Sequence, residues 1–261
     1  MANSLAIATL AIFAVLILPV FFLLAKHARY GLAGWLFLSF FCAIQIVGGG
    51  LAINSSGPAA SIVSNVGLSP LLLGTAGILH EARIFRIPNL DKKLEWLIQL
   101  VFHMLVVGGL ALTVVGTVKL QNHEQPIDKA EKITKAGISI MAVSWGVLVG
   151  LTGVSFMGPR AKNDSPVARA GTTLLASVCF SLVFIGVRVF YSVAALTSQK
   201  ASLNPTTGSL ALRVVLGFLP GLITTLAYIC AGIKTQGVAK LAGDEPHDIS
   251  PSRKPRPAPY V

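Results

Sequence analysis

A guanidinium inside an apolar run is the residue of this chain most in need of a chemical explanation. Arg188 lies in the sixth of seven long apolar stretches, where a central arginine costs roughly 2.5 to 3.5 kcal/mol on membrane-insertion scales. None of the stretches carries an acid at its centre to neutralise it. At helical spacing Ser177, Ser181, Arg188 and Ser192 share one stripe, with Tyr191 one turn beyond Arg188. Such a face is expected to point inward and to anchor an anion or a hydroxyl; the alternative is an arginine snorkelling outward onto carbonyls. Gln45, Asn65, Ser69 and Arg213, with Ser61 and Ser64, fall at similar depth on other stretches. Together they are candidates for the lining of a polar cavity, and singly each also suits a helix-to-helix hydrogen bond.

A second group could move protons. His80, Glu81 and Arg83 close the third stretch, and Gln99 and His103 lie in the fourth. Glu81 is the candidate general acid and His80 its proton partner, because a carboxyl group near hydrocarbon and an adjacent imidazole can exchange a proton near neutral pH. The other reading is a charged cap at the membrane interface. His80 and His103 sit at different heights, which disfavours a bis-histidine haem; no metal or cofactor is expected. Zinc motifs, phosphate-binding glycine loops and nucleophile elbows are missing. A retinal protein would need a mid-membrane lysine where only Lys234, at a helix end, is found. A seven-helix receptor is favoured by Glu81-Ala-Arg83 and disfavoured by the missing Asn-Pro-x-x-Tyr.

The elements that must hold these residues follow from composition. Of 261 residues, 54% are hydrophobic and 12% charged, about half the charge of a soluble domain. Runs of about 20 residues suit helices that cross a hydrocarbon layer. Seven are expected, at residues 5–25, 33–53, 59–79, 97–118, 136–157, 170–196 and 210–233. The first lacks a basic leader and is followed by Lys26 and Arg29, so it reads as a retained helix with its N-terminus outside. On that orientation fourteen Lys and Arg fall on the cytosolic side and five outside, with Arg188 and Arg213 at helix level, as the positive-inside rule demands. The net charge of +11 then reflects orientation and contact with anionic lipid, and nucleic acid is not an expected partner. Cys42, Cys179 and Cys230 lie in the helices and imply no disulfide framework.

The expected fold is therefore all-α, a polytopic seven-helix bundle over residues 1–240, followed by a disordered cytosolic tail at 241–261. The tail is rich in Pro, Ser and charge and lacks the apolar surface to offset ordering. The loop from Lys119 to Lys135 is expected to be solvated, with at most a short amphipathic turn. Gly67-x-x-Pro70 and Gly217-x-x-Pro220, 150 residues apart, interrupt the third and seventh stretches at one depth. That is compatible with a 3+1+3 internal repeat, although Gly and Pro are also common in membrane helices. Gly146-x-x-x-Gly150 and Gly217-x-x-x-Gly221 are expected at close helix contacts.

Several segments resemble a family of fungal seven-helix membrane proteins classed only as a domain of unknown function. They are Gly34-Trp-Leu-Phe-Leu through Ile46-Val-Gly-Gly, Asn65-Val-Gly-Leu-Ser-Pro-Leu-Leu-Leu, Ile185-Gly-Val-Arg-Val-Phe-Tyr-Ser and Asn204-Pro-Thr-Thr-Gly-Ser. The resemblance spans nearly all the helical region, implies a fungal source, and puts Arg188 and Tyr191 on family motif positions. It also implies an arginine where this chain has Gln45, and an acid near Gly221. Both are absent here, so a cross-helix ion pair would be lost. The function expected from the whole is binding or translocation of a small amphipathic or lipid-like molecule in a plasma or internal membrane. The runner-up is a membrane enzyme of fungal secondary metabolism, a terpenoid cyclase or isomerase using Glu81 and His80.

Overall fold

The computed structural model describes residues 2–27, 30–54, 66–87, 90–122, 126–158, 165–198, 201–203 and 208–238. Among them are seven helices and no strand. We label them α1 (Ala2–His27), α2 (Leu32–Asn54), α3 (Leu68–Arg86), α4 (Lys92–Gln121), α5 (Ile127–Met157), α6 (Pro166–Ser198) and α7 (Leu210–Thr235). Six of them, all but α3, are long and apolar enough to cross a membrane. The tail at 241–261 and Asn65 lie outside the described residues.

α3 is the axle of the bundle. Sixteen of its 19 residues are buried, whereas α1 presents large apolar groups such as Val15 and Leu18 at the surface. A helix buried on every face must let its neighbours approach without side chains in the way, and α3 does so through Gly74 and Gly77. A Cβ on Gly77 would strike the backbone of Gly34 on α2, and one on Gly34 would lie 2.6 Å from the Ile78 nitrogen. α4 and α5 form an antiparallel pair closed in the same way, with Gly109 against Gly137 and Gly116 against Thr134. The expected contact at Gly146 and Gly150 is not made: both have open space where a side chain would go, because this stripe of α5 faces away from the other helices.

Helix ends differ from the apolar runs where polar residues have local or distant partners. α4 starts at Lys92 because Asp91 caps it, accepting hydrogen bonds from the Lys93 and Leu94 amides at 2.9 and 3.3 Å. α5 begins after Pro126, its first turns carrying the Glu131–Lys135 ion pair at 2.5 Å, so most of the expected loop from Lys119 to Lys135 is helical. α3 runs seven residues past 79, to Arg86, and takes His80, Glu81 and Arg83 into the helix. In α7 the segment Arg213–Phe218 is a π-helix. Pro220 has no amide hydrogen to give the carbonyl four residues back, and the Leu219 amide bonds instead to the Val214 carbonyl, five back. Gly67 is a turn directly before α3, and Pro70 occupies that helix's first turn, where no partner for an amide is needed.

The outward surface is apolar: Trp96, Met104, Val183 and Phe190 are all more than half exposed. Water would not tolerate that area, and hydrocarbon would.

Candidate functional site

Arg188 is held between helices. Its side chain is 6% exposed, and its guanidinium carbon lies 5.4 Å from the centre of the Phe41 ring of α2. Gly67, before α3, and Gly221, on α7, make the slot it occupies. A Cβ on Gly221 would lie 3.0 Å from Nη1 and one on Gly67 3.1 Å from Nη2. The same position on Gly67 is 3.3 Å from Gln45 Oε1, so Gln45 and Arg188 flank one glycine. Among the described residues no carboxylate pairs with Arg188, and its Nη1 is buried without a hydrogen-bond acceptor. Among the described residues the hydroxyl of Tyr191, one turn on, likewise has no hydrogen-bond partner, and the charge of Arg213 acts on it. The Tyr191 ring packs against Gly217, whose Cβ position is 3.9 Å from its Cε1.

These groups are hydrogen-bond donors and a standing positive charge. A guanidinium with a free N–H, a phenol and an amide are donors of the kind that can pair with a carboxylate, phosphate or sulfate. Ser69 does not join them, since its hydroxyl donates to the Val66 carbonyl at 3.0 Å, and Ser192 donates to the carbonyl of Arg188 itself at 3.1 Å. Asn65 lies outside the described residues.

His80 and Glu81, adjacent in sequence, point about 100° apart on α3 and have different partners. His80 Nδ1 lies 3.3 Å from Glu95 Oε2 on α4, and Arg83 Nη2 lies 2.6 Å from Glu95 Oε1. Gln99, one turn after Glu95, donates to the Ala76 carbonyl at 3.0 Å, so this polar seam ties α3 to α4. His103 stacks near Phe37, with ring centres 4.9 Å apart. Glu81 turns the other way, to His27 at the end of α1, with Oε1 2.5 Å from Nδ1. The indole Nε1 of Trp35 on α2 donates to Glu81 Oε2 at 3.1 Å. Both His27 and Glu81 are 0% exposed, so Glu81 is enclosed within the bundle instead of capping it at the interface.

Sequence reasoning missed His27, Trp35 and Glu95. Glu95 had a usable signal, because Glu95, Gln99 and Phe102 recur at i, i+4 and i+7 on one helical face. His27 and Trp35 had none that a local pattern could show, as they meet Glu81 across 54 and 46 residues.

A bundle of seven helices, six of spanning length and with an apolar exterior, defines a multi-pass membrane protein. Residues 1–238 match the family described as domain of unknown function (DUF7702), and the chain belongs to that family. No curated protein and no solved structure matches it.

Proposed function

We propose that this protein binds a small amphipathic molecule with an anionic headgroup and carries it across the bilayer, the headgroup resting on Arg188. The observation that carries this reading is the guanidinium itself: buried among helices and, among the described residues, without a carboxylate and with an N–H left free. A buried charge of this kind is expensive unless something else completes it. The apolar tail of such a ligand would lie along side chains of the kind that surround the slot, Phe41 and the Tyr191 ring among them. Gln45 and Arg213 would serve as further headgroup contacts.

In this reading α3, together with the residues before it, is a seventh span. The N-terminus is outside and the C-terminus cytosolic, which the excess of Lys and Arg on one side supports. Arg188 then lies toward the outer face. The Gly67 turn that precedes α3 and the π-helical segment Arg213–Phe218 of α7 both border the slot, and departures from regular helix at a site of this kind are a feature of transporters. The enzyme reading gains nothing from the geometry, because Glu81 and His80 do not face each other.

The test is flux in proteoliposomes. A fluorescent alkyl carboxylate or alkyl phosphate should cross faster with protein than without, and Arg188→Ala should slow it at least tenfold while the protein stays folded. Equal flux with Arg188→Ala would remove the site.

A further inference from the structure

We propose that His27 and Glu81 form a binding site for one proton, and that this proton latches α1 and α2 to α3 and α7 at the end of the bundle opposite Arg188.

The argument is an accounting of donors and acceptors. His27 Nε2 lies 3.1 Å from the Gly232 carbonyl of α7, which can only accept, so Nε2 carries a hydrogen. Trp35 Nε1 can only donate, so Glu81 Oε2 is an acceptor. What remains is the 2.5 Å contact between His27 Nδ1 and Glu81 Oε1. It needs one proton, carried on nitrogen as imidazolium facing carboxylate or on oxygen as imidazole facing carboxylic acid. With no proton, two lone pairs oppose each other and the pair is a net anion. With a second, two hydrogens collide and the pair is a net cation. Both side chains are fully buried, so either charged state is disfavoured against the neutral one.

The surroundings leave the side chains no room to turn away. A Cβ on Gly31 would collide with the Glu81 carboxylate, and one on Gly232 with the Trp35 ring. Losing the proton is therefore relieved by separating helices. α2, α3 and α7 also bear on the slot around Arg188, through Phe41, the Gly67 turn before α3, and Gly221.

No other described charge competes for the pair. On α1, Lys26 is exposed and lies over Phe22. On α3, His80 and Arg83 are engaged with Glu95, and Arg86 reaches Phe156. Arg169 of α6 and Lys234 of α7 are exposed, and the Tyr30 ring before α2 packs on Phe85. Arg29 lies outside the described residues.

The latch does not depend on what Arg188 binds, and its test uses purified full-length protein without ligand. In Glu81→Gln the amide N–H can donate to Nδ1 while the amide oxygen accepts from Trp35, closing the latch without a titratable proton. The unfolded wild-type chain has a neutral imidazole and a carboxylate above about pH 6.5, one proton fewer than the folded pair. Raising the pH therefore favours unfolding of wild type over Glu81→Gln, by up to about tenfold in the unfolding constant per pH unit. Reversible unfolding in mixed micelles from roughly pH 6 to 9 measures this, and two parallel curves would overturn the proposal. Nitrogen-15 NMR of histidine gives a second reading that needs only folded wild type, with the His27 signal identified by its loss in His27→Gln. It should show hydrogen on Nε2; a neutral ring protonated on Nδ1 would overturn the proposal too.

Discussion

Replacing Arg188 with methionine should make the ligand-free protein more stable. Methionine keeps a long unbranched stem and removes the charge. The loss is the contact of the guanidinium with the Phe41 ring at 5.4 Å, worth about 0.5 to 2 kcal/mol. The gain is release from a buried cationic N–H with no acceptor, about 1 to 3 kcal/mol or more for a charged group. The balance favours Arg188→Met by about 1 kcal/mol. A structural arginine, paired or bonded to carbonyls, behaves in the opposite way, since breaking a buried pair costs about 3 to 5 kcal/mol. The two accounts differ in sign and by several kcal/mol, well beyond the error of an unfolding titration. Reversible unfolding in mixed micelles decides between them. If Arg188→Met loses 2 kcal/mol or more, Arg188 is holding helices together and the anion reading fails.

Arg83→Met should cost about 2 to 4 kcal/mol, because it leaves Glu95 buried with only His80 at 3.3 Å; adding Glu95→Leu should recover part of the loss, and additive effects in that double-mutant cycle would argue against the pair. Gly77→Ala should destabilise by about 1 to 3 kcal/mol, since its Cβ meets the backbone of Gly34. Gly150→Ala, in open space, should be neutral or gain up to about 1 kcal/mol, and equal losses at the two sites would mean the helix faces are wrongly assigned. A protease added outside intact cells should cut a tag at the N-terminus and spare one at the C-terminus. The reverse pattern would invert the orientation.

Hydrophobicity alone located most helices, because a spanning run carries its own signature of length and composition. It failed at the ends, most plainly at the end of α3. His80, Glu81, Arg83 and Arg86 lower the apolarity of the last turns of α3, so a sequence reading stops there. They are nonetheless buried or half-buried, because His27, Glu95 and the Phe156 carbonyl supply what water would have supplied. Those partners come from α1, α4 and α5, and no window on α3 contains them. The glycines show the same limit. Gly146 and Gly150 have the spacing of a packing motif, yet the approach of α2 to α3 runs through Gly34 and Gly77, which only the bundle's arrangement reveals. Arg188 was legible because its difficulty is local: a charge in hydrocarbon has to be explained wherever its neighbours are.

The central claim is that Arg188 reads a negative headgroup, and one comparison tests it most directly. Calorimetric titration of purified protein with an alkyl carboxylate and an alkylammonium of the same chain length, at one ionic strength, holds the hydrophobic contribution constant and changes only the sign of the head. The account predicts that the carboxylate binds at least tenfold more tightly, and that the preference disappears in Arg188→Met while residual binding of both tails persists. Equal affinity for the two amphipaths, or a preference that survives Arg188→Met, would contradict it.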